Sequence, residues 1–342
     1  MQLRKAGFLA LWLARKEACG LASSAFRHVG QKASGTRRQA AASSTAAELQ
    51  KPVVELSQET LASLPEIKAV ASDIDGTCTA PDLQVPQRVM DAIVATLDSG
   101  IVFFPATGKS RAGMMNTLGP AGDILKARGA PGVYIQGLVV YGPGPDSKVI
   151  YERLLGADIG REVAQFCRDR NMSLIAYSGD RIVCTRLEDK YVTTIADYHE
   201  PFPEAVGEID EAMAAGLPVH KLIIMAPAEE VVQQRPALAQ LLGQRASLVQ
   251  AMPHMLEVLP LGASKGIGVA KLLAHMGFKV ENLMAMGDAE NDIEMLKMAA
   301  VSVAMGNADP EVKKVARFVA PTNAQEGAAV ALETLLQLRP RQ

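Results

Sequence analysis

Cysteine is scarce in this chain. The four present among 342 residues, Cys19, Cys78, Cys167 and Cys184, lie far apart and form no CxxC pair, which excludes a disulfide framework and a thiolate zinc site. Cys78, close to an acidic motif, reads as a small packing residue, because free cysteine is commonly buried and inert. An excess of either charge is missing too: 35 Lys and Arg stand against 37 Asp and Glu, a net charge of −2. That is too weak a field to gather nucleic acid or an anionic lipid surface, so the expected partner is a small molecule. No apolar run is long enough to span a bilayer, and no membrane crossing is expected. What is present is length for about two domains and 49% hydrophobic residues to fill their cores. The sequence leaves the oligomeric state open.

Residues 1–60 have a composition of their own. The first fifty carry eight Lys or Arg, with Glu17 the one acid before Glu48, among much Ala and Ser. This is the profile of an organellar transit peptide. A secretory signal would use residues 8–14 as its apolar region, but Arg15, Lys16 and Glu17 then stand where small cleavage-site residues belong. The Ser and Ala content favours a chloroplast over a mitochondrion, and both over the cytoplasm.

From Ile67 onward, apolar runs alternate with amphipathic stretches in a βαβα rhythm, the pattern of a parallel sheet covered by helices. Residues 67–75 read as a buried strand, 86–99 as a helix entered at Pro86 and left at Gly100, 101–107 as a strand, 109–118 as a helix and 133–136 as a strand. A hairpin turns at Pro143, Gly144, Pro145 and Asp146. The texture then changes: strands 173–177 and 182–186 flank Ser178, Gly179 and Asp180 as an antiparallel hairpin. Helices near Lys190 and Ala205 are expected next, then strand 219–226, helix 231–242 and strands 246–252 and 255–260. After Gly262 the βα rhythm resumes, so residues 155–259 read as an α+β insertion in a split core.

Two acidic clusters stand at expected strand ends, where open α/β sheets place their ligands. In ASDIDGTCT, Asp73 and Asp75 are two positions apart and share a side of the strand before Gly76 breaks it. In GDAEND, Asp288 ends a second buried strand and Asp292 follows one turn later. Like charges so placed are tolerated when a hard cation such as Mg²⁺ lies between them. ATGKS, residues 106–110, imitates a phosphate loop, but Phe103 stands where the first glycine of that motif is required. What remains is the Thr107 hydroxyl and open amides at a helix start, enough to hold a phosphoryl oxygen. GASKGIG, residues 262–268, imitates a dinucleotide fingerprint, yet only about eighty residues follow it and the last tyrosine is Tyr198, which removes the Tyr-x-x-x-Lys pair a short-chain dehydrogenase needs. Ser264 then caps a helix, and Lys265 adds a point charge to its positive end.

Read in order, DIDGT, ATGKS, SKGIG and GDAEND resemble the four motifs of the haloacid dehalogenase superfamily of phosphatases over nearly all the chain after Leu64. The insertion is similar to the type IIB cap of the Cof-like sugar-phosphatase branch. The resemblance implies an α/β fold: a Rossmann-like parallel-sheet core in residues 61–154 and 260–342, with an inserted α+β cap domain in 155–259. It implies Asp73 as the nucleophile and Asp75 as general acid and base. It implies Mg²⁺ held by the Asp73 carboxylate, the Asp75 backbone carbonyl and Asp288, and phosphoryl oxygens held by Thr107, the Gly108 amide, Lys265 and Asn291. Asp292 would orient Lys265 or the metal's waters. The expected activity is hydrolysis of a small phosphomonoester, a sugar phosphate or a phosphorylated cofactor such as FMN or pyridoxal phosphate. A phosphomutase or a non-catalytic binding protein would carry the same motifs. At Gln136-Gly137 the chain departs from the Asn-Gly of many members, which leaves substrate contacts there open. The turn at residues 177–181 is expected to face the site.

Overall fold

A computed structural model describes residues 65–337 together with a two-residue strand, β1 (Val54–Glu55). Most of residues 1–60, including the expected transit peptide, lies outside the described residues. The core begins with β2 (Ala69–Ser72), whose four residues are all buried; a strand covered by helices on both faces has no polar side to alternate with. Helix α1 (Gln87–Asp98) follows, starting after Pro86 and ending before Gly100, whose φ is +79°. Then come β3 (Val102–Pro105), α2 (Arg111–Leu118) and α3 (Pro120–Ala127).

A small antiparallel sheet of β4 (Gly132–Tyr134), β5 (Val139–Tyr141) and β6 (Val149–Glu152) comes next. Strand β4 stops short of the expected 133–136. Ile135 and Gln136 take positive φ of 50° and 58°, and their amides bond Lys109 O and Thr107 O at 2.9 and 3.1 Å. The chain is thus turned against the ATGKS loop, which aims Gln136 at the site.

The insertion holds a second, mostly antiparallel sheet. Its elements are α4 (Ala157–Arg170), β7 (Ser173–Ser178), β8 (Arg181–Cys184), β9 (Glu204–Ala205), α5 (Ile209–Ala214), β10 (Lys221–Met225), α6 (Ala228–Leu242), β11 (Ala246–Met252) and β12 (Met255–Pro260). The strand order is β11-β12-β10-β7-β8-β9. Near Lys190 the expected helix is a 3₁₀ helix over Val192–Tyr198, while the helix expected near Ala205 is instead the short strand β9, paired parallel with β8. Side chains alternate across the strands. Leu174, Ala176, Leu222, Ile224, Leu256 and Val258 pack in one hydrophobic cluster with residues of α4 and α6, so Tyr177, Lys221, Ile223, Met255 and Glu257 face the other way.

The chain returns through α7 (Lys265–Met276), β13 (Leu283–Gly287), α8 (Ile293–Met298), β14 (Val301–Ala304), α9 (Pro310–Val315), β15 (Phe318–Val319) and α10 (Gly327–Gln337). The core sheet is parallel throughout, ordered β1-β15-β14-β13-β2-β3. Strands β2 and β13 are adjacent, with Ser72 opposite Met286. Their carboxyl ends therefore deliver Asp73 and Asp288 to the same edge. No described helix is long and apolar enough to cross a membrane.

Candidate active site

Asp73 follows the last residue of β2, and its amide bonds Met286 O at 3.0 Å. Its carboxylate is nearly buried and meets Lys265 Nζ at 2.7 Å. Ser264 caps α7, accepting from the Ile267 amide at 3.3 Å, which directs Lys265 inward, where it is 1% exposed. The same ammonium donates to Asp292 Oδ1 at 2.8 Å. Asp292 Oδ2 accepts from the Asp288 and Ala289 amides at 2.9 and 3.0 Å, so both of its oxygens are engaged. Asp288 Oδ1 accepts from the Thr77 hydroxyl at 3.0 Å. Gly76, at φ +76°, is forced here: a Cβ would lie 2.3 Å from Asp288 Oδ2.

Asp73, Asp288 and Asp292 bring carboxylate oxygens within 4.8 Å of one another. Burial pushes the Asp73 carboxyl well above its ordinary value, against the pull of Lys265. Burial, then the Asp292 charge, pushes Asp288 up to about 7. Burial acts to pull Lys265 down, but the Asp292 and Asp73 carboxylates outweigh it and hold the ammonium above its ordinary range. Three clustered acids beside one buried ammonium leave an excess of negative charge at this edge, and the available ligand atoms are all oxygen. That donor set suits a hard divalent cation, and Asp73 and Asp288 are the side chains that could serve it.

The other expected residues line the same place. Thr107 is buried, its amide bonded to Val133 O at 2.9 Å, and Gly108 touches the Gln136 side chain so closely that a Cβ would come within 2.7 Å of Nε2. Asn291 donates to Gln136 Oε1 at 3.1 Å. Its own Oδ1 is buried without a partner among the described residues, an acceptor that needs a donor to enter the pocket. Asp75 is 30% exposed at its side chain and pairs with Lys109 Nζ at 3.1 Å.

Several residues of this site have no motif to announce them. Lys109 also donates to Tyr198 O in the insertion. Glu200 accepts from the Ser110 amide at 3.0 Å, from the Ser110 hydroxyl and from Tyr177 OH at 3.2 Å. Burial pushes its carboxyl up, and a Cβ at Gly113 would lie 2.3 Å from it. Lys221 Nζ bonds Gly108 O at 2.9 Å and Glu257 Oε1 at 3.0 Å and sits 4.2 Å above the Tyr177 ring. Gln136 Nε2 donates to Glu257 Oε2 at 3.0 Å. The sequence signal for these is the ‘wrong’ parity of polar residues in apolar strands: Lys221 and Glu257 each share a sheet face with Ile223 and Met255. In the expected 177–181 turn, Tyr177 lines the cavity, and Asp180 Oδ1 accepts from the Ala112 amide at 2.8 Å at the start of α2. Lys109, Gln136, Tyr177, Glu200, Lys221 and Glu257 line a cavity of about 370 Å³, within the range of small-ligand sites.

Comparison with known proteins gives the following matches. The family of haloacid dehalogenase-like hydrolases matches residues 70–332. A curated relative, "Endoribonuclease YBEY, chloroplastic" of Arabidopsis thaliana, is 36% identical over 78% of this chain, which spans 46% of that protein's length. The "HMP-PP phosphatase" of Yersinia pestis is 28% identical over 72% of this chain and 86% of its own. Among solved structures, a HAD/COF-like hydrolase from Plasmodium vivax superposes with a TM-score of 0.75 at 26% identity, covering 82% of this chain and 99% of that one. A haloacid dehalogenase-like hydrolase from Bacteroides thetaiotaomicron gives 0.71 at 26% identity, over 78% and 99%.

Proposed function

Because the chain belongs to the haloacid dehalogenase-like hydrolases, in their Cof-like branch, we propose that it is a Mg²⁺-dependent phosphatase of a small phosphorylated metabolite. The reading is carried by the convergence of Asp73, Asp288 and Lys265 at one sheet edge. Asp73 attacks phosphorus through its carboxylate and becomes an aspartyl phosphate. Asp75 gives a proton to the departing alkoxide, then takes one from the water that hydrolyses the acyl phosphate, so each displacement reuses the same groups. Lys265, Thr107, the Gly108 amide and Asn291 hold the phosphoryl oxygens, and Asp292 orients Lys265. The Asp73 and Asp288 carboxylates and the Asp75 carbonyl would hold Mg²⁺, which would supply charge to offset the repulsion between anionic nucleophile and anionic ester.

We divide the chain into a core of residues 61–154 and 260–342 and a cap of 155–259, whose closure over the core excludes water. We assign residues 1–60 as a chloroplast transit peptide, in keeping with their composition and with the chloroplastic relative from Arabidopsis thaliana. The test is release of inorganic phosphate from a panel of phosphomonoesters by the chain lacking its first sixty residues. Release should require Mg²⁺ and should vanish in Asp73→Asn. Turnover that survives that substitution, or that proceeds equally after chelation, refutes the assignment.

A further inference from the structure

Gln136 joins the core to the insertion from a buried position, 2% exposed, with φ of +58° and its amide bonded to Thr107 O at 3.1 Å. Both ends of its carboxamide are engaged: Nε2 donates to Glu257 Oε2 at 3.0 Å, and Oε1 accepts from Asn291 Nδ2 at 3.1 Å. Glu257 also accepts from Lys221 Nζ at 3.0 Å, and Lys221 bonds Gly108 O at 2.9 Å. Close approach is built in, since a Cβ at Gly108 would lie 2.7 Å from Gln136 Nε2. The polarity of this chain of bonds runs one way only. A carboxylate has no hydrogen to give, so Glu257 requires the nitrogen of Gln136; the oxygen of Gln136 then faces Asn291 and requires a nitrogen there. A carboxamide turned over at Asn291 would set two oxygens against each other. Asn291 lines the cavity together with Asp73 and Asp288. The bond to Gln136 leaves it one Nδ2 hydrogen and Oδ1, which is buried without a partner among the described residues.

Resting on the phosphatase reading above, we infer that Gln136 is a positioning residue: it takes its orientation from Glu257 of the insertion and passes it to Asn291, whose carboxamide is thereby presented to the cavity in one sense. The hydrogen left on Nδ2 serves a phosphoryl oxygen. Oδ1 requires a donor, which an ionised phosphoryl group lacks and a water or a substrate hydroxyl supplies. A carboxamide fixed before the substrate arrives costs no reorganisation during the reaction. Gln136 is held in this sense by Glu257, so the insertion acts on the phosphoryl site through two amide groups in series.

The experiment follows release of phosphate from 4-nitrophenyl phosphate, and binding of inorganic phosphate by titration calorimetry, both with Mg²⁺ present. Gln136→Met keeps the length of the side chain and removes both bonds. It should lower kcat/KM about 10- to 100-fold and weaken phosphate about tenfold, the scale for a partner that orients a functional group. On an Asn291→Ala background the same substitution should cost at most about twofold in either readout, because Gln136 acts through Asn291. Equal losses on the two backgrounds would mean that Gln136 only supports the fold, and would overturn the inference. Gln136→Glu sets two carboxylates together and should lose at least as much as Gln136→Met. Adding Glu257→Gln restores every polarity in the chain of bonds, the new amide accepting from Lys221 and donating to the new carboxylate. The pair should recover to within about fivefold of the unaltered protein, and a pair no more active than Gln136→Glu alone overturns the inference. If the unaltered protein hydrolyses no ester, the phosphatase reading fails by itself and phosphate binding decides the present one: weakening by Gln136→Met that depends on Asn291 supports it, and weakening that does not, or no binding at all, overturns it.

Discussion

Among the described residues, two buried clusters of charge are built on opposite principles. At the core sheet edge, Asp73 and Asp292 share Lys265 while Asp288 lies close beside both, and burial raises the carboxyls of Asp73 and Asp288. On the insertion's inner face, Lys221 and Glu257 are matched one to one and saturated by Gly108 and Gln136. Charge left unbalanced is charge available to a cation or a phosphoryl group; charge balanced in place holds two parts of a chain together. The Gly108 and Gln136 bonds tie the insertion to the ATGKS loop and to Asn291, so the paired cluster props up the unpaired one.

The largest expected effect breaks this contrast at its functional end. Asp73→Asn should reduce phosphate release by about 10⁴-fold or more, the scale of losing a nucleophile. Its unfolding temperature should stay level or rise at neutral pH, because one of three mutually repelling buried charges is gone while Lys265 keeps Asp292. Circular-dichroism melting checks this; a marked loss of stability would mean that the Asp73–Lys265 pair is structural. Next in size is Lys221→Met, which strands Glu257 as a buried charge and should cost about 3–5 kcal/mol in denaturant unfolding. Adding Glu257→Gln should recover most of that loss, since both ends of the pair are then neutral. A double variant no more stable than the single one would show that the contact with Gly108, not the charge balance, carries the effect.

These two clusters also differ in how far the sequence discloses them. Asp73, Asp75, Asp288, Asp292 and Lys265 are legible because local rules put each at a strand end or helix start, and a parallel sheet brings strand ends to one edge. The expected strands and helices of the core match those observed with trimmed ends. Lys221, Glu257 and Glu200 are not legible in that way. Their meaning depends on register between strands distant in sequence, on Ile223 standing opposite Glu257 and Lys221 opposite Tyr177, and on a face of the sheet that single-strand patterns leave undetermined. Gln136 lies between these cases: it stands out as a departure in sequence, while its two bonds, one to Asn291 and one to Glu257, exist only in the fold. The same holds for Ile135 and Gln136 as backbone, since neither position of the left-handed pair is glycine, and Gly137 after them, at φ +84°, marks only the turn's last residue.

The smallest expected effect concerns Glu200, whose buried carboxyl sits above its ordinary value of 4.5 because burial disfavours the charged form, despite the Ser110 hydrogen bonds and the Lys109 charge. A carboxyl raised by folding stabilises the native state fully below the unfolded value and loses that contribution as pH rises through the folded one. Glu200→Gln keeps an acceptor for the Ser110 amide and has no proton to lose. Melting temperatures of the two proteins should therefore lie closest near pH 4.5, and the unaltered protein should fall behind the variant as pH is raised from there. The opposite trend, with the unaltered protein gaining on the variant, would mean that Ser110 and Lys109 hold Glu200 ionised, and that the insertion's inner face contains a second unbalanced charge like the one at the core edge.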